Sequence, residues 1–249
     1  ADLREKPRSP HTSTLGIHMS ILGARLVVAV CLFWPALASA SCREESALHA
    51  AIASGYEPNS SSMVACKDLP ETQNLIVAFI NEIENHTYTL TVLAVTKATG
   101  QVRYAFVDKD PSFGPNGDPT DIEIDTARYQ LASNKRAFGI RVKHSLNPWD
   151  STEDLNLFIP TETKLLRVLK DLTVASSSGR ACELGSHEMK RTISVAKSLS
   201  HGFHDLVVHT KRIEVEPTYG RDNECLSRET ARADTAKLQY TGDSYAYPP

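Results

Sequence analysis

Apolar residues recur at every second position through most of the chain after residue 74, which is the period of a β-strand with one buried face. Tyr88, Leu90 and Val92, for example, alternate with threonines. Glycine, proline and asparagine separate these segments at intervals of roughly 8 to 15 residues. The pattern predicts about ten strands, at 74–80, 87–92, 102–107, 122–131, 138–142, 155–159, 165–174, 190–199, 203–215 and 236–245.

Two of these segments predict different degrees of burial. Residues 74–80 are a nearly continuous apolar run, which is typical of a strand buried on both faces. In contrast, Phe138, Ile140 and Val142 alternate with glycine, arginine and lysine. That alternation predicts a strand with one buried face and one face in water.

The strongest hairpin signal lies between Cys182 and Cys225. Two long strand segments flank a short turn that contains Gly202, and we expect the rest of the chain to be organised around this hairpin. Before the first strand, residues 43–53 are strong helix formers with glutamates in the first turn. The sequence therefore predicts an all-β fold, an antiparallel meander forming a sandwich or barrel-like domain, with one short N-terminal helix.

Composition adds little to this fold but excludes some partners. The chain has 249 residues, 41% of them hydrophobic, and a formal net charge of −3. Neither nucleic acid nor an anionic membrane surface is indicated by that charge.

The N-terminal residues predict export. A short apolar run at 26–38 follows Arg25 and precedes Ser39-Ala40-Ser41, which is the pattern of a secretory signal peptide over residues 19–40. Residues 1–18 are then a disordered leader or remnant, and 41–249 form a single all-β domain. We expect a periplasmic or secreted protein with no transmembrane span after signal removal. A lipid anchor at Cys42 is less expected, because no large aliphatic residue lies three positions before it.

Export changes the interpretation of the cysteines. Without Cys31, which lies in the predicted signal peptide, the chain keeps Cys42, Cys66, Cys182 and Cys225. An even number in an oxidising compartment predicts disulfides. We expect Cys42 to pair with Cys66 and Cys182 with Cys225, since each pair brackets one local unit, although the other two pairings stay open. The spacing matches no zinc motif.

An acidic segment suggests a calcium site. Five oxygen-bearing side chains lie on a stretch rich in glycine and proline: Asp108, Asp110, Asn116, Asp118 and Asp121. Such ligands suit Ca²⁺, which is the one cofactor indicated here, but the spacing is not that of an EF-hand. A plain acidic surface loop is the alternative, since the same residue types form long turns.

The turn of the predicted hairpin is a candidate binding site, formed by His201, Phe203, His204 and Asp205. Histidine beside a carboxylate could also serve acid–base chemistry or metal ligation. However, on an extended strand His201 and Asp205 would lie about 13 Å apart, and His209 as far again from Asp205, too far to share one ion. Exposed histidines at a hairpin turn are the alternative interpretation.

Sequence motifs of catalysis are absent. The chain has no Gly-x-Ser-x-Gly, no phosphate-binding glycine loop and no His-Glu-x-x-His. This absence favours a non-catalytic protein. The alternative is a hydrolase with dispersed carboxylates, which requires two of Asp108, Asp121, Asp125, Asp154 and Asp205 to converge in a pocket.

One segment resembles known proteins. Gly202-Phe-His-Asp-Leu-Val-Val208 resembles the Gly-x-x-Asp-Leu-Val-Val core of FG-GAP-like repeats. With the closing Leu238-Gln-Tyr-Thr-Gly-Asp-Ser-Tyr245, residues 187–245 are similar to the C-terminal half of a group of periplasmic proteobacterial β-proteins. Some members of that group are lysozyme inhibitors or immunity proteins against cell-wall effectors. The resemblance implies a binding protein whose partner is another protein, a secreted hydrolase. A calcium-dependent envelope or adhesion module is a further alternative.

Overall fold

The fold is formed almost entirely by antiparallel strands, as predicted. The computed structural model describes residues 44–109, 111, 117–180, 185–220, 222 and 224–247. The described residues belong to one compact unit, Ala40–Pro249. The elements are α1 (Glu44–Ala53), β1 (Met63–Asp68), β2 (Asn74–Glu84), β3 (Thr87–Thr96), β4 (Val102–Asp108), β5 (Asp118–Ala132), β6 (Lys135–Asn147), β7 (Asp150–Pro160), β8 (Leu165–Arg180), β9 (Gly185–Ser200), β10 (Phe203–Tyr219), β11 (Cys225–Tyr240) and β12 (Tyr245–Ala246).

The strands form two sheets in chain order. The first sheet has the order β1-β2-β3-β4, and the second runs from β5 to β12 without a crossover. Every neighbouring pair is antiparallel. The sandwich-like form of the predicted meander is therefore the one that the structure shows. The hydrophobic pattern did not predict β1.

The helix covers the outer face of the first sheet. It was predicted at 43–53 and is observed at Glu44–Ala53, and Gly55 follows it with a φ of 79°. Ala50 and Ala51 pack against Val77 and Phe79 of β2. The opposite face of β2 carries Ile76, Ala78 and Ile80, which pack against the second sheet. The prediction that this strand is buried on both faces is therefore confirmed.

The strands β6 and β7 form a middle layer of the molecule. One face of β6, with Phe138, Ile140 and Val142, packs against the first sheet. On the other face, Ala137 belongs to a core with residues of β7, β10 and β11, because the second sheet curves back over itself. The prediction that this face lies in water was wrong for Gly139, which is buried, whereas Arg141 is half-buried and Lys143 is exposed.

Close packing in this layer also explains Gly139. A Cβ atom added at Gly139 would lie 2.6 Å from Cδ1 of Leu155 on β7 and 3.0 Å from Cβ of Asp125 on β5. Both contacts are shorter than van der Waals contact. The glycine that suggested a polar face is therefore required by packing on a buried one.

Part of the second sheet has almost no core. We call "the arm" the three-stranded segment formed by 185–192 of β9, 209–219 of β10 and 225–235 of β11. Among the described residues 209–219 and 225–235, Thr210 is the one buried residue. Residues 185–190 of the arm pair with 175–180 of β8, and the guanidinium of Arg191 donates to the Thr173 carbonyl of β8 at 2.7 Å. Apart from Thr210 and Gly185, the residues of the arm are exposed or half-buried.

Candidate functional site

The tip of the β9–β10 hairpin has a fixed backbone. We call "the tip" residues 199–205. β9 ends at Ser200, β10 begins at Phe203, and the two residues between them both have positive φ, 50° for His201 and 81° for Gly202. Two consecutive residues with positive φ form the type I′ turn that matches the twist of a two-stranded hairpin. Glycine adopts this conformation without strain, whereas histidine does so at some cost.

A β-bulge lies immediately beside this turn. Phe203 and His204 pair with Ser200 and Leu199, but the register then shifts between His204 and Leu206. Bulges redirect side chains. Here Asp205, which falls at the shift, is only 1% exposed.

Asp205 is a buried carboxylate with defined partners. The hydroxyl of Ser198 donates to its Oδ2 atom at 2.6 Å, and Nζ of Lys237 on β11 lies 3.5 Å from the same oxygen. Burial by itself raises the pKa of Asp205, but hydrogen bonds from Ser198 and Ser200 and the Lys237 ammonium outweigh it and lower the pKa. The carboxylate is therefore ionised at neutral pH, where it holds β9, β10 and β11 together.

Aromatic rings support the tip from the β11 and β12 side. The ring of Phe203 lies 4.4 Å from that of Tyr240, and Tyr240 lies 5.3 Å from Tyr245, measured between centroids. The hydroxyl of Tyr245 donates to the carbonyl of His204 at 2.6 Å. Burial raises the pKa of Tyr245, and the Asp205 carboxylate adds to that rise. Tyr245 therefore stays protonated as a donor, and the short strand β12 fixes the bulge.

A small open cavity lies beside the turn. Its volume is about 210 Å³, and its lining includes His201, Gln239, Tyr240 and Tyr247. Tyr247, which lines it, is 51% exposed, and Leu199 at the end of β9 is 60% exposed. Apolar and aromatic side chains around a shallow cavity are the usual anchors of a protein interface. The arrangement can bind a side chain of a partner, and no hydrogen-bonded nucleophile and base occur among these residues.

The structure brings the four predicted tip residues together but gives them different environments. His201 is exposed, Phe203 and His204 are half-buried, and Asp205 is inside. His209 lies on the arm, where it contacts the hydroxyls of Ser194 at 3.2 Å and Thr235 at 3.3 Å. Sequence reasoning did not assign the residues that complete the site, Lys237, Gln239, Tyr240, Tyr245 and Tyr247. The closing tyrosine-rich segment 238–247, which contains four of these five residues, is the sequence feature that could have indicated them.

The residues of the predicted calcium site have separate partners. Asp108 ends β4 and accepts a hydrogen bond from Arg167 at 2.6 Å. Asp118 begins β5 and contacts Nδ1 of His86 at 2.9 Å, whereas Asp121 accepts from the Ile122 amide. Asp110 and Asn116 lie outside the described residues. Among the described part of the chain, no group of three or more His, Cys, Asp or Glu side chains is placed to hold a metal ion.

The carboxylates of the hydrolase alternative also lie in different environments. Asp125 binds Arg141 through Nε at 3.0 Å and Nη2 at 2.8 Å, and Arg141 reaches Glu153 at 2.7 Å. These contacts form a half-buried ion-pair network on β5, β6 and β7. None of Asp108, Asp121, Asp125, Asp154 and Asp205 lines the tip cavity or the two other cavities, of about 490 and 130 Å³, on the arm and beside it.

Asp154 instead lies beside a fully buried histidine. Nε2 of His144 on β6 is 3.5 Å from Oδ2 of Asp154 on β7, and His144 is 0% exposed. Burial lowers the pKa of His144 and outweighs the opposing influence of Asp154, Asp171 and a hydrogen bond with the Gly117 backbone. His144 is therefore neutral at physiological pH. Since it is fully buried between the layers, its contribution is to packing.

The disulfide pairings stay predictions. Cys66 of β1 and Cys225 of β11 are in the disulfide-bonded state. Each of the two predicted pairs also contains one cysteine, Cys42 or Cys182, that lies outside the described residues. Cys225 faces Tyr219 across the β10–β11 ladder, at the end of the arm opposite the tip.

Within the part of the chain that the structure describes, no helix has the length and hydrophobicity needed to cross a membrane. Comparisons of the chain with protein-family models, with curated proteins and with solved structures gave no match.

Proposed function

We propose that the chain is an exported, non-catalytic binding protein that inhibits a secreted hydrolase, as a lysozyme-type inhibitor or as an immunity protein against a cell-wall effector. The observation that carries this proposal is the tip. A type I′ turn presents His201 beside a cavity of about 210 Å³, and the exposed Leu199 precedes that turn near the end of β9.

The support beneath the tip favours binding rather than catalysis. Asp205, which could have served as an acid or base, is only 1% exposed, and Ser198 and Lys237 contact its Oδ2 atom. The hydroxyl of Tyr245 is likewise engaged with a backbone carbonyl. A loop that is already held in one conformation loses little entropy on binding, which is how inhibitors of enzymes achieve affinity.

The chemistry of the exposed residues fits an enzyme cleft. Leu199 and Tyr247 supply apolar area, and the imidazole of His201 supplies one polar group that can donate or accept a hydrogen bond. A projecting hairpin can enter a concave active site, whereas a flat surface cannot. Export follows from the predicted signal peptide at 19–40 and places the protein where wall-degrading hydrolases act.

The test is inhibition of purified cell-wall hydrolases, both glycosidases of the lysozyme type and amidases, with peptidoglycan as substrate. The wild-type protein should inhibit at least one of them. Leu199→Ser and His201→Ala should raise the inhibition constant about tenfold or more, because hot-spot residues each contribute more than about 1.4 kcal/mol.

Trp149→Ala is the matched control, since Trp149 is 50% exposed and lies in the β6–β7 turn, outside the tip. This variant should inhibit as well as the wild type. If no hydrolase is inhibited, or if the tip variants inhibit unchanged, the proposed function is wrong.

A further inference from the structure

The last long strand of the second sheet has an open edge. β11 pairs with β10 from Cys225 to Leu238. On its other side, β12 pairs only with Gln239 and Tyr240. Among the described residues, no strand pairs with the remaining edge, which covers 225–238. A long edge of unpaired backbone N–H and C=O groups can pair with another strand.

The open edge of β11 carries charged side chains of both signs. β11 carries Arg228, Glu229, Arg232, Asp234 and Lys237. Charged side chains, especially lysine, often protect an edge against association with other strands. A strand with both signs can instead match the charges of an antiparallel copy of itself.

Within the chain, some of these charges lack an opposite charge across the ladder. Arg232 faces Arg212 of β10, and like charges directly opposite destabilise a sheet. Asp234 is in contact with Arg212 and so compensates the charge of Arg212 but not that of Arg232. Glu229 faces the apolar Val215. A negative group opposite Arg232 on the open side would therefore relieve an existing repulsion.

Symmetry restricts how two copies of β11 can pair. For antiparallel neighbours, the two-fold axis must pass through a residue, so that facing side chains lie on the same face of the sheet. An axis at Ala233 places Arg232 opposite Asp234 of the second copy. The same axis places Glu229 opposite Lys237, and each match occurs twice by symmetry.

Neighbouring axes are less favourable. An axis at Ala231 matches only Arg228 with Asp234. An axis at Arg232 or at Asp234 places that residue opposite the same charge of the second copy. Small side chains at 231 and 233 leave room for close approach along the whole register.

We propose that the protein forms a homodimer in which the β11 strands of two copies pair antiparallel about a two-fold axis at Ala233. The second sheets of the two copies then continue into each other through their β11 strands. Residues 228–238 make the contact, which includes none of the tip residues 199–205, although Lys237 also contacts Asp205 of the tip. Substitutions at 232 and 234 leave Lys237 and the tip unchanged, so dimerisation and hydrolase inhibition can fail independently.

A charge-swap experiment tests the proposal. Arg232→Asp places two aspartate pairs in its own dimer, and Asp234→Arg places two arginine pairs in its own dimer. In a mixture, the Arg232→Asp copy and the Asp234→Arg copy match each other at both positions. Sedimentation equilibrium on the purified exported protein, over a concentration series, measures the dimer dissociation constant.

The expected result is a wild-type dimer, a dissociation constant at least tenfold weaker for each variant alone, and recovery in the mixture. Recovery also shows that both variants are folded. A monomeric wild type at all concentrations, unchanged variants, or a mixture that stays monomeric would each overturn the proposal.

Cysteine cross-linking checks the register. Facing residues have Cβ atoms about 4.5–5.5 Å apart, so Ala233→Cys should form a disulfide-linked dimer with itself. Ala231→Cys should not, because two copies of residue 231 are about 13 Å apart in this register. A mixture of Ala231→Cys and Thr235→Cys should cross-link, since those positions face each other. If Ala231→Cys cross-links with itself as readily as Ala233→Cys, the assigned register is wrong.

Discussion

The layered body, formed by α1 and β1–β8, and the arm differ in what stabilises them, although both consist of antiparallel strands. In the body, β2, β6 and β7 are covered on both faces, and Phe79, Phe138 and Phe158 are fully or almost fully buried. In the arm, Thr210 is the one buried residue among those described in 209–219 and 225–235. The body is held by burial of apolar area, which dominates folding. The arm is held by its backbone ladder and by polar cross-strand pairs.

The two regions therefore differ in which side chains are available to a partner. A strand with both faces buried cannot present side chains to a partner, whereas the arm and the tip present nearly all of theirs. The tip avoids the usual flexibility of an exposed hairpin because Asp205 and Tyr245 tie its bulge to β9, β11 and β12. Binding residues carried on a supported element are held more precisely than residues on a free loop.

The largest expected effect on stability comes from a substitution in the core of the body. Phe158→Ala should lower the free energy of unfolding by about 3–5 kcal/mol, because a buried ring is lost and a cavity remains. Phe158 is 0% exposed, and its ring lies 5.0 Å from that of Phe106 and 5.8 Å from that of Phe138. Urea denaturation followed by circular dichroism measures the change.

The matched change in the arm is Ile213→Ala. Ile213 is half-buried, so its truncation should cost about 1 kcal/mol or less. A cost for Ile213→Ala as large as that for Phe158→Ala would show that the arm has a core of its own and would remove the contrast.

A smaller effect is expected at the support of the tip. Asp205→Asn should lower the free energy of unfolding by about 1–3 kcal/mol, since a buried charged acceptor is lost from Ser198. The lowered pKa of Asp205 predicts that its contribution is present above pH 4 or so and is lost as the pH falls through the pKa of the folded state. Denaturation at neutral and acidic pH measures both.

Glu188→Gln on the arm is the control for Asp205→Asn, because the Glu188 side chain is 42% exposed and binds Lys190 at the surface, outside the β11 contact. Its effect on stability should be close to zero. Equal effects of the two substitutions would mean that the Asp205 carboxylate does not hold the bulge.

The smallest effect is a pH dependence that distinguishes a body histidine from an arm histidine. Burial holds the pKa of His144 below its usual value, so the unfolded chain takes up a proton first as the pH falls below about 6.5. Stability should therefore decrease below that pH, and His144→Gln should flatten the decrease. His209→Gln should leave it unchanged, because His209 is exposed on the arm. A flat wild-type profile between about pH 7 and pH 5 would contradict this prediction.

Local pattern was enough to predict much of the architecture. The helix at 43–53, the doubly buried strand at 74–80 and the hairpin turn at 201–202 all follow from short-range chemistry: helix propensity, apolar runs and the special backbone of Gly202. These features depend on residues adjacent in sequence, so the local sequence is enough to predict them.

Tertiary contacts decided the features that the pattern could not predict. The second face of β6 is buried at Ala137 and Gly139 because the second sheet curves back over this part of it, and periodicity does not tell which strand covers another. Asp205 is inside because a β-bulge breaks the alternation that would have left it exposed. The Asp108–Asp121 carboxylates that are close in sequence have different partners because β4 and β5 belong to different sheets.

The sequence alone was sufficient for the all-β antiparallel class, the meander and the position of the hairpin that forms the tip, because each depends on local periodicity and turn chemistry. The tertiary structure was needed to show which strand faces are buried, which carboxylate is buried and which strand edge is unpaired. Those properties depend on contacts between residues far apart in the chain, such as Asp205 with Lys237 and Tyr245 with His204.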